Sequence, residues 1–226
     1  MPTTKDQRPT AKHKSRSSKP LFRIGYGWDS HEFRPGIPLR IGGVTLPHPQ
    51  GLGGHSDGDV LLHALTDALL GGVAAPDIGS LFPPTDPQWK GAASVVFLRE
   101  ALQRVRMAGY ALANVDSTLI LAVPKIGPHA AAIRENVAKL LGISANCVGL
   151  KAKTPEGMGT DNAAIAHVVV LLMKKQPDDE RRVLEAAEET PQLEIDDVVE
   201  RVLESVPEPE NKKASTSSNI TSKRKR

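Results

Sequence analysis

The chain has one cysteine in its 226 residues, Cys147. That excludes an internal disulfide framework and fits a reducing compartment. Cys147 lies in an apolar run, so a buried, inert thiol is expected. No stretch approaches the roughly 18 consecutive apolar residues of a membrane span. The N-terminus also lacks the apolar core of a secretory signal. These absences predict a soluble, cytoplasmic protein with no membrane partner. A plastid transit peptide is the competing reading of Lys5, Arg8, Lys12, Lys14, Arg16 and Lys19 set among Ser and Thr. The segment is short, however, and shows no amphipathic pattern. The sequence has no Gly-x-x-x-x-Gly-Lys-[Ser/Thr] loop and no Gly-x-Ser-x-Gly elbow, and Gly25-Tyr-Gly-Trp-Asp-Ser lacks the third glycine of a dinucleotide fingerprint. Walker-type hydrolases, nicotinamide or flavin enzymes of that type and elbow serine hydrolases are thereby set aside.

A net charge of +3 and a pI near 9.0 would suit nucleic acid, but the positive charge is weighted to the two ends. Basic low-complexity ends are solvated tails more often than readers of bases, so no nucleic-acid partner is expected. The 39% apolar content suffices for a core and is concentrated between Phe22 and Met173. Three regions follow: a disordered basic tail (1–20), one folded domain (21–175) and an acidic extension (176–226), partly helical in pattern and ending in a basic low-complexity run.

Within the domain, residues 22–28 read as a strand, and 38–47 as two short strands turning at Gly42-Gly43. Residues 47–54 read as a loop in which His48, between prolines, is exposed. A helix follows, with Ser56 as N-cap, Asp59 as its capping-box partner and Leu61, Leu62, Leu65, Ala68 and Leu69 facing the core. Asp59, His63, Thr66, Asp67 and Leu70 share its opposite face. Residues 71–91, rich in Gly, Pro and Asp, read as a long functional loop, with Asp77, Gly79 and Asp86 as candidates. A helix over 92–106, a strand over 112–123, a helix over 128–141 closed by Gly142 and a strand over 147–154 come next. Residues 163–173 are continuously apolar, so periodicity does not separate helix from strand there. The alternation predicts an α+β or α/β layer with helices packed on a sheet.

Two residues apart on an extended chain, Asp29 and His31 point to one side. His63 projects from the first turns of the following helix. Two histidines and one carboxylate suit tetrahedral zinc with an open fourth position, although facial iron or manganese sites use the same donors. His55 sits just before a helix N-terminus, where backbone N–H groups favour an anion such as phosphate. A metal beside anion-binding groups fits phosphoryl chemistry carried by positioning and charge neutralisation.

Gly25-Tyr-Gly-Trp-Asp-Ser-His-Glu-Phe33, Gly54-His-Ser-Asp-Gly-Asp59 with the helix through Gly71, Asp77-Ile-Gly-Ser-Leu-Phe-Pro-Pro-Thr-Asp86 and Pro124-Lys125 occur in that order. Together they resemble the 2-C-methyl-D-erythritol 2,4-cyclodiphosphate synthase family of the non-mevalonate isoprenoid pathway, collinearly over about 22–175. The resemblance implies helices packed on one face of a small mixed sheet, a strand over 163–173, and a homotrimer with active sites between subunits. It further implies a phosphorus–oxygen lyase that cyclises 4-diphosphocytidyl-2-C-methyl-D-erythritol 2-phosphate with release of CMP.

By the same resemblance, zinc is held by Asp29, His31 and His63, and magnesium or manganese by Glu156 at the diphosphate. His55 and Thr154 stabilise the transition state. Ser30, Ser56, Asp77, Ile78, Gly79, Phe82, Pro83, Pro84, Thr85 and Asp86 border the substrate, along with Pro124, Lys125, Ala152, Lys153 and Pro155. One departure stands out. The family continues after its Glu156 counterpart through a glycine-rich loop holding a phosphate-contacting arginine, whereas Gly157-Met-Gly-Thr-Asp-Asn162 is about two residues shorter and has none. A non-catalytic zinc- and cytidine-nucleotide-binding protein and a zinc-water hydrolase are the alternatives.

Overall fold

The computed structural model describes residues 19–175; the expected tail and acidic extension otherwise fall outside the described residues. Strand β1 (Phe22–Pro35) is the spine. A hairpin follows, β2 (Leu39–Ile41) and β3 (Val44–Leu46), then a short β4 (Gln50–Leu52). Next come helices α1 (Val60–Gly72), α2 (Ile78–Leu81) and α3 (Ser94–Met107). Strand β5 (Tyr110–Ile120), helix α4 (Ala130–Leu141), β6 (Val148–Lys153) and β7 (Ala163–Lys174) complete the order. The main sheet runs β4-β1-β7-β5-β6. Only β5 and β6 are parallel, so the sheet is mixed as expected. Ahead of β1, Lys19 Nζ donates to Ala108 O and Tyr110 OH donates to Pro20 O.

Alternation along the strands separates two faces. Ala164, Ala166, Val168, Val170 and Leu172 of β7 are buried with Val115 and Leu119 of β5, whereas Val169 and Met173 are exposed. The helices cover the first face. On the other, β1 presents Phe22, Ile24, Tyr26 and Trp28, each more than half exposed. On its covered side β1 carries Gly25 and Gly27, and the reason is contact distance: a Cβ on Gly25 would meet Ala68 O at 1.8 Å, and one on Gly27 would meet Ala64 O at 2.2 Å. The two glycines let α1 lie directly on the strand backbone.

Several local expectations change. Asp59, not Ser56, caps α1, since Gly58 at φ +72° lies in the left-handed region and breaks any helical path before Val60. The face of α1 expected to be polar is mostly covered too. Asp59, Thr66 and Leu70 are buried because the helix is packed between the sheet and α3, and Thr66 satisfies its hydroxyl on Leu62 O at 2.7 Å. Only His63 and Asp67, one turn apart, remain partly open.

The loop expected over 47–54 contains β4, which pairs with the end of β1. His48 is half-buried against Phe33 rather than exposed. Residues 71–91 are more ordered than a plain loop, since α1 runs to Gly72 and α2 and a 3-10 turn (Pro87–Trp89) follow. Cys147 ends a 3-10 turn ahead of β6 and is half-exposed, not buried. The ambiguous segment 163–173 is strand, held between β1 and β5. Among the described residues no helix is long and apolar enough to cross a membrane.

Asp59 ties the helix to the hairpin. Gly42 and Gly43, at φ +62° and +77°, form the two-residue turn, as the Gly-Gly pair predicts. The fully buried Asp59 carboxylate accepts from Gly42 N (2.9 Å), Gly43 N (2.6 Å) and Leu62 N (3.0 Å). Asp59→Ala would leave two buried donors and one part-buried donor unpaired, at about 1–3 kcal/mol for each buried one. A loss of at least ~3 kcal/mol is expected in urea unfolding, with Asp59→Asn much milder because asparagine remains a good cap. Equal effects of the two substitutions would show that the acceptor geometry is unimportant.

Candidate active site

Asp29 and His31 leave β1 on its covered side, and the close seating of α1 brings His63 down between them. Asp29 Oδ2 lies 2.8 Å from His31 Nε2 and 3.0 Å from His63 Nδ1, and the two imidazole nitrogens are 3.0 Å apart. A tetrahedral ion bonded at about 2.0–2.1 Å would space its ligands about 3.3 Å apart. The three donors therefore converge on one point and need spread by only a few tenths of an ångström, so the set can hold a divalent metal ion.

Electrostatics within the set are strong. Burial pushes the Asp29 carboxyl up, but hydrogen bonds and charge from His31 and His63 prevail and hold it well below the usual carboxylate range. Burial lowers His31, and its bond to Asp29 outweighs that and raises the imidazole above its ordinary value. A positive charge is thus already favoured where the cation would sit.

The triad opens into a cavity of about 200 Å³ that His55, Ser56, Ile78, Gly79, Phe82 and Pro84 also line. Sequence reasoning named all of these. It passed over three more lining residues, Asp67, Trp89 and Phe97. Asp67 lies one turn after His63 and was placed on the same helix face; burial raises its pKa against the Ile78 N–H that it accepts at 2.8 Å. Trp89 and Phe97 pack on Phe82, with ring centres 5.0 and 4.6 Å away, and close the apolar wall. Asp77 caps α2 by accepting from Ser80 N at 2.7 Å, and Asp86 caps the next turn. Pro83 and Thr85 lie between these caps and do not line the cavity. Ser30 alternates to the opposite side of β1 and is exposed.

A second cavity, of about 580 Å³, gathers Pro124, Lys125, Ala152, Lys153, Thr154 and Glu156 with Leu121, Ile126 and Gly127. Pro155 is buried and does not line it. Thr154 Oγ1 donates to Glu156 Oε1 in a short contact, and Glu156 takes a left-handed φ of +49°. The two cavities share no residue. The second lies at the C-terminal ends of β5 and β6, and Asp29 and His31 lie at about the same level in the second half of β1, which runs in the same direction. With β7 and β5 between β1 and β6, three strand spacings of about 4.8 Å separate those strands by roughly 14 Å.

The chain matches known proteins over this same region. The YgbB family model fits residues 22–173. The 2-C-methyl-D-erythritol 2,4-cyclodiphosphate synthase of Koribacter versatilis is 66% identical over 155 residues, covering 69% of this chain and all of that protein. The chloroplastic enzyme of Arabidopsis thaliana is 54% identical over 157 residues, 68% of each chain. A solved 2C-methyl-D-erythritol-2,4-cyclodiphosphate synthase in its CDP-bound form superposes with a TM-score of 0.63 at 46% identity, over 66% of this chain and 99% of that one. With the same β1 spine, helix-borne histidine and glycine-seated α1 lying inside the matched region, this chain belongs to the YgbB family of 2-C-methyl-D-erythritol 2,4-cyclodiphosphate synthases.

Proposed function

We propose that the chain converts 4-diphosphocytidyl-2-C-methyl-D-erythritol 2-phosphate to 2-C-methyl-D-erythritol 2,4-cyclodiphosphate and CMP in the non-mevalonate isoprenoid pathway. The observation that carries this reading is the convergence of Asp29, His31 and His63 on one point in a cavity walled by the remaining family motifs. In the reaction an oxygen of the substrate's 2-phosphate forms a bond to the β-phosphorus, the bond from that phosphorus to the CMP oxygen breaks, and CMP leaves. The substrate supplies its own nucleophile, so the protein has to fold a polyanion and offset its charge.

Asp29, His31 and His63 would hold zinc, and Glu156 magnesium or manganese; bound there, the cations supply the positive charge that lets two phosphates approach. The 580 Å³ cavity offers Pro124 to Gly127 and Ala152 to Thr154 to cytosine and ribose. His55 and Thr154 are assigned to stabilising the transition state, and Asp77 and Gly79 to the sugar. The separateness of the two cavities supports a homotrimer in which the metal set of one subunit faces the nucleotide cavity of its neighbour. The bare apolar face of β1 and β7 supports the same assembly. The reading places the protein in the cytoplasm.

Incubating the full chain with the diphosphocytidyl substrate, zinc and magnesium, followed by phosphorus NMR, tests the proposal. Equal amounts of cyclic diphosphate and CMP are expected. A linear phosphate product would make the protein a hydrolase. Nucleotide binding without turnover would make it a binding protein, the reading favoured by the arginine-free loop of residues 157–162.

That loop yields a further expectation. Glu156 precedes the shortened segment, so its carboxylate should still hold the second ion, and with no arginine nearby turnover should depend steeply on magnesium or manganese. Glu156→Gln is expected to raise the ion concentration needed for half-maximal rate. An unchanged metal titration would move the second ion to other groups.

A further inference from the structure

We propose that Ser94 and Asp57, anchored by Arg40, form a positioning relay that holds the His63 ring with its proton on Nε2 and its Nδ1 lone pair facing the cation. The inference rests on the metal reading above. The two ring nitrogens of His63 have distinct surroundings. Nδ1 faces Asp29 and His31, whereas Nε2 lies 2.9 Å from Ser94 Oγ and 2.9 Å from Ser56 Oγ. Ser94 donates its hydroxyl proton to Asp57 Oδ1 in a short contact. A carboxylate only accepts, so that proton is committed and Ser94 Oγ can only accept from a third group. The donor within reach is His63 Nε2–H. Arg40 Nη1, 3.8 Å from Asp57 Oδ2, anchors the far end, and both side chains are largely covered, at 18% and 15% exposure.

A purely structural role for Ser94 is disfavoured by what surrounds it. Ser94 is fully buried at the first position of α3, yet it does not cap that helix, whose cap position, Ala93, makes no side-chain bond. The loop carrying Asp57 is already fastened by its backbone, through Gly91 N to His55 O at 2.8 Å and Asp57 N to Ala92 O at 3.1 Å. Side-chain bonds are not needed to hold it there. They do what a buried outer shell does around a metal ligand: they select the tautomer and fix the plane of the ring.

Ser56 provides an internal contrast. It is as near to Nε2 as Ser94, but its own proton is not committed to a carboxylate, and its other contact is a long 3.5 Å bond from Gly58 N. Equal distances should therefore have unequal consequences.

The test uses the full chain with zinc as probe, affinity measured by competition with a chromophoric chelator, and 15N-histidine labelling to follow the His63 Nε2 proton in the loaded protein. Ser94→Ala should weaken zinc about 10–100-fold and turn a slowly exchanging Nε2–H resonance into a rapidly exchanging one. Ser56→Ala should leave both readouts near the wild type, and Ser94→Thr, which restores a hydroxyl, should recover much of the loss. Wild-type affinity together with an unchanged Nε2–H resonance in Ser94→Ala overturns the relay. If Ser94→Ala does not fold, Asp57→Ala, which removes the acceptor of the Ser94 proton, carries the test, and unchanged affinity there overturns it equally. Failure of the metal reading would appear earlier and separately, as absence of tight zinc binding by the unsubstituted protein, and would overturn both.

Discussion

His63→Ala is expected to remove most bound zinc and to lower kcat/KM for cyclisation by about 10³-fold or more, since a metal acting on phosphoryl charge contributes several kcal/mol and each 1.36 kcal/mol is a factor of ten. Without His63 the ion keeps only Asp29 and His31, two donors on one strand. Ser56 and Ser94, on the far side of the missing ring, offer only hydroxyls, and among the described residues the donors that converge on one point are those of Asp29, His31 and His63. Metal content by elemental analysis and rates by CMP release check the two parts separately. His55→Ala is the companion variant: it lines the same cavity without belonging to the triad, and should keep its zinc while losing rate. Full zinc occupancy in His63→Ala would overturn the ligand set.

Gly27→Ala should be among the most destabilising single-methyl additions in the molecule. The added Cβ would sit 2.2 Å from Ala64 O and 2.5 Å from Ala68 N. Both are backbone atoms of a helix, which cannot rotate aside as the end of a side chain can. Overpacking typically costs about 1–3 kcal/mol and occasionally more, and here the upper end or beyond is expected because α1 must lift off the strand. Ala64 directly follows His63, so the lift would also draw the imidazole away from Asp29, and zinc affinity should fall with the melting temperature. Gly71→Ala, at an exposed position of the same helix with nothing closer than Tyr26 O at 3.7 Å, should instead be neutral or stabilising by about 0.5–1 kcal/mol. Similar melting temperatures for the two variants would show that the close seating of α1 does not carry stability.

Much of the fold was legible because short-range signals and burial agreed: the Gly42-Gly43 turn, the α3 and α4 periods and the i, i+2 placement of Asp29 and His31 all appear as the pattern predicts. What escaped depended on contacts between distant segments. Ser56 looks like a cap until Gly58 turns the chain the wrong way and the distant hairpin amides claim Asp59. Thr66 and Leu70 look solvent-facing because a sequence does not say that a helix will be covered on both sides. Gly25-x-Gly27 looks like a fragment of a dinucleotide fingerprint, but it exists for the close approach of α1. Ser94 could not be paired with His63 in advance, since it comes from a separate segment outside the quoted motifs, and the motif that holds Asp57 and His63 does not say that a serine of α3 bridges them. Residue types and order thus revealed the cluster that could hold a metal ion, while the shell around it needed coordinates.

Strand β1 interleaves two jobs along one run of residues: its odd-numbered positions from Gly25 to His31 seat the helix and supply donors, and its even-numbered positions from Phe22 to Trp28 form the bare apolar face. A period of two leaves no slack. One residue gained or lost between Phe22 and Asp29 would exchange both sets at once, turning bulky rings onto α1 and the metal donors outward. Substitutions here can be selected one face at a time, but changes of length must come in pairs, so over evolutionary time this segment should vary in composition while its spacing stays fixed.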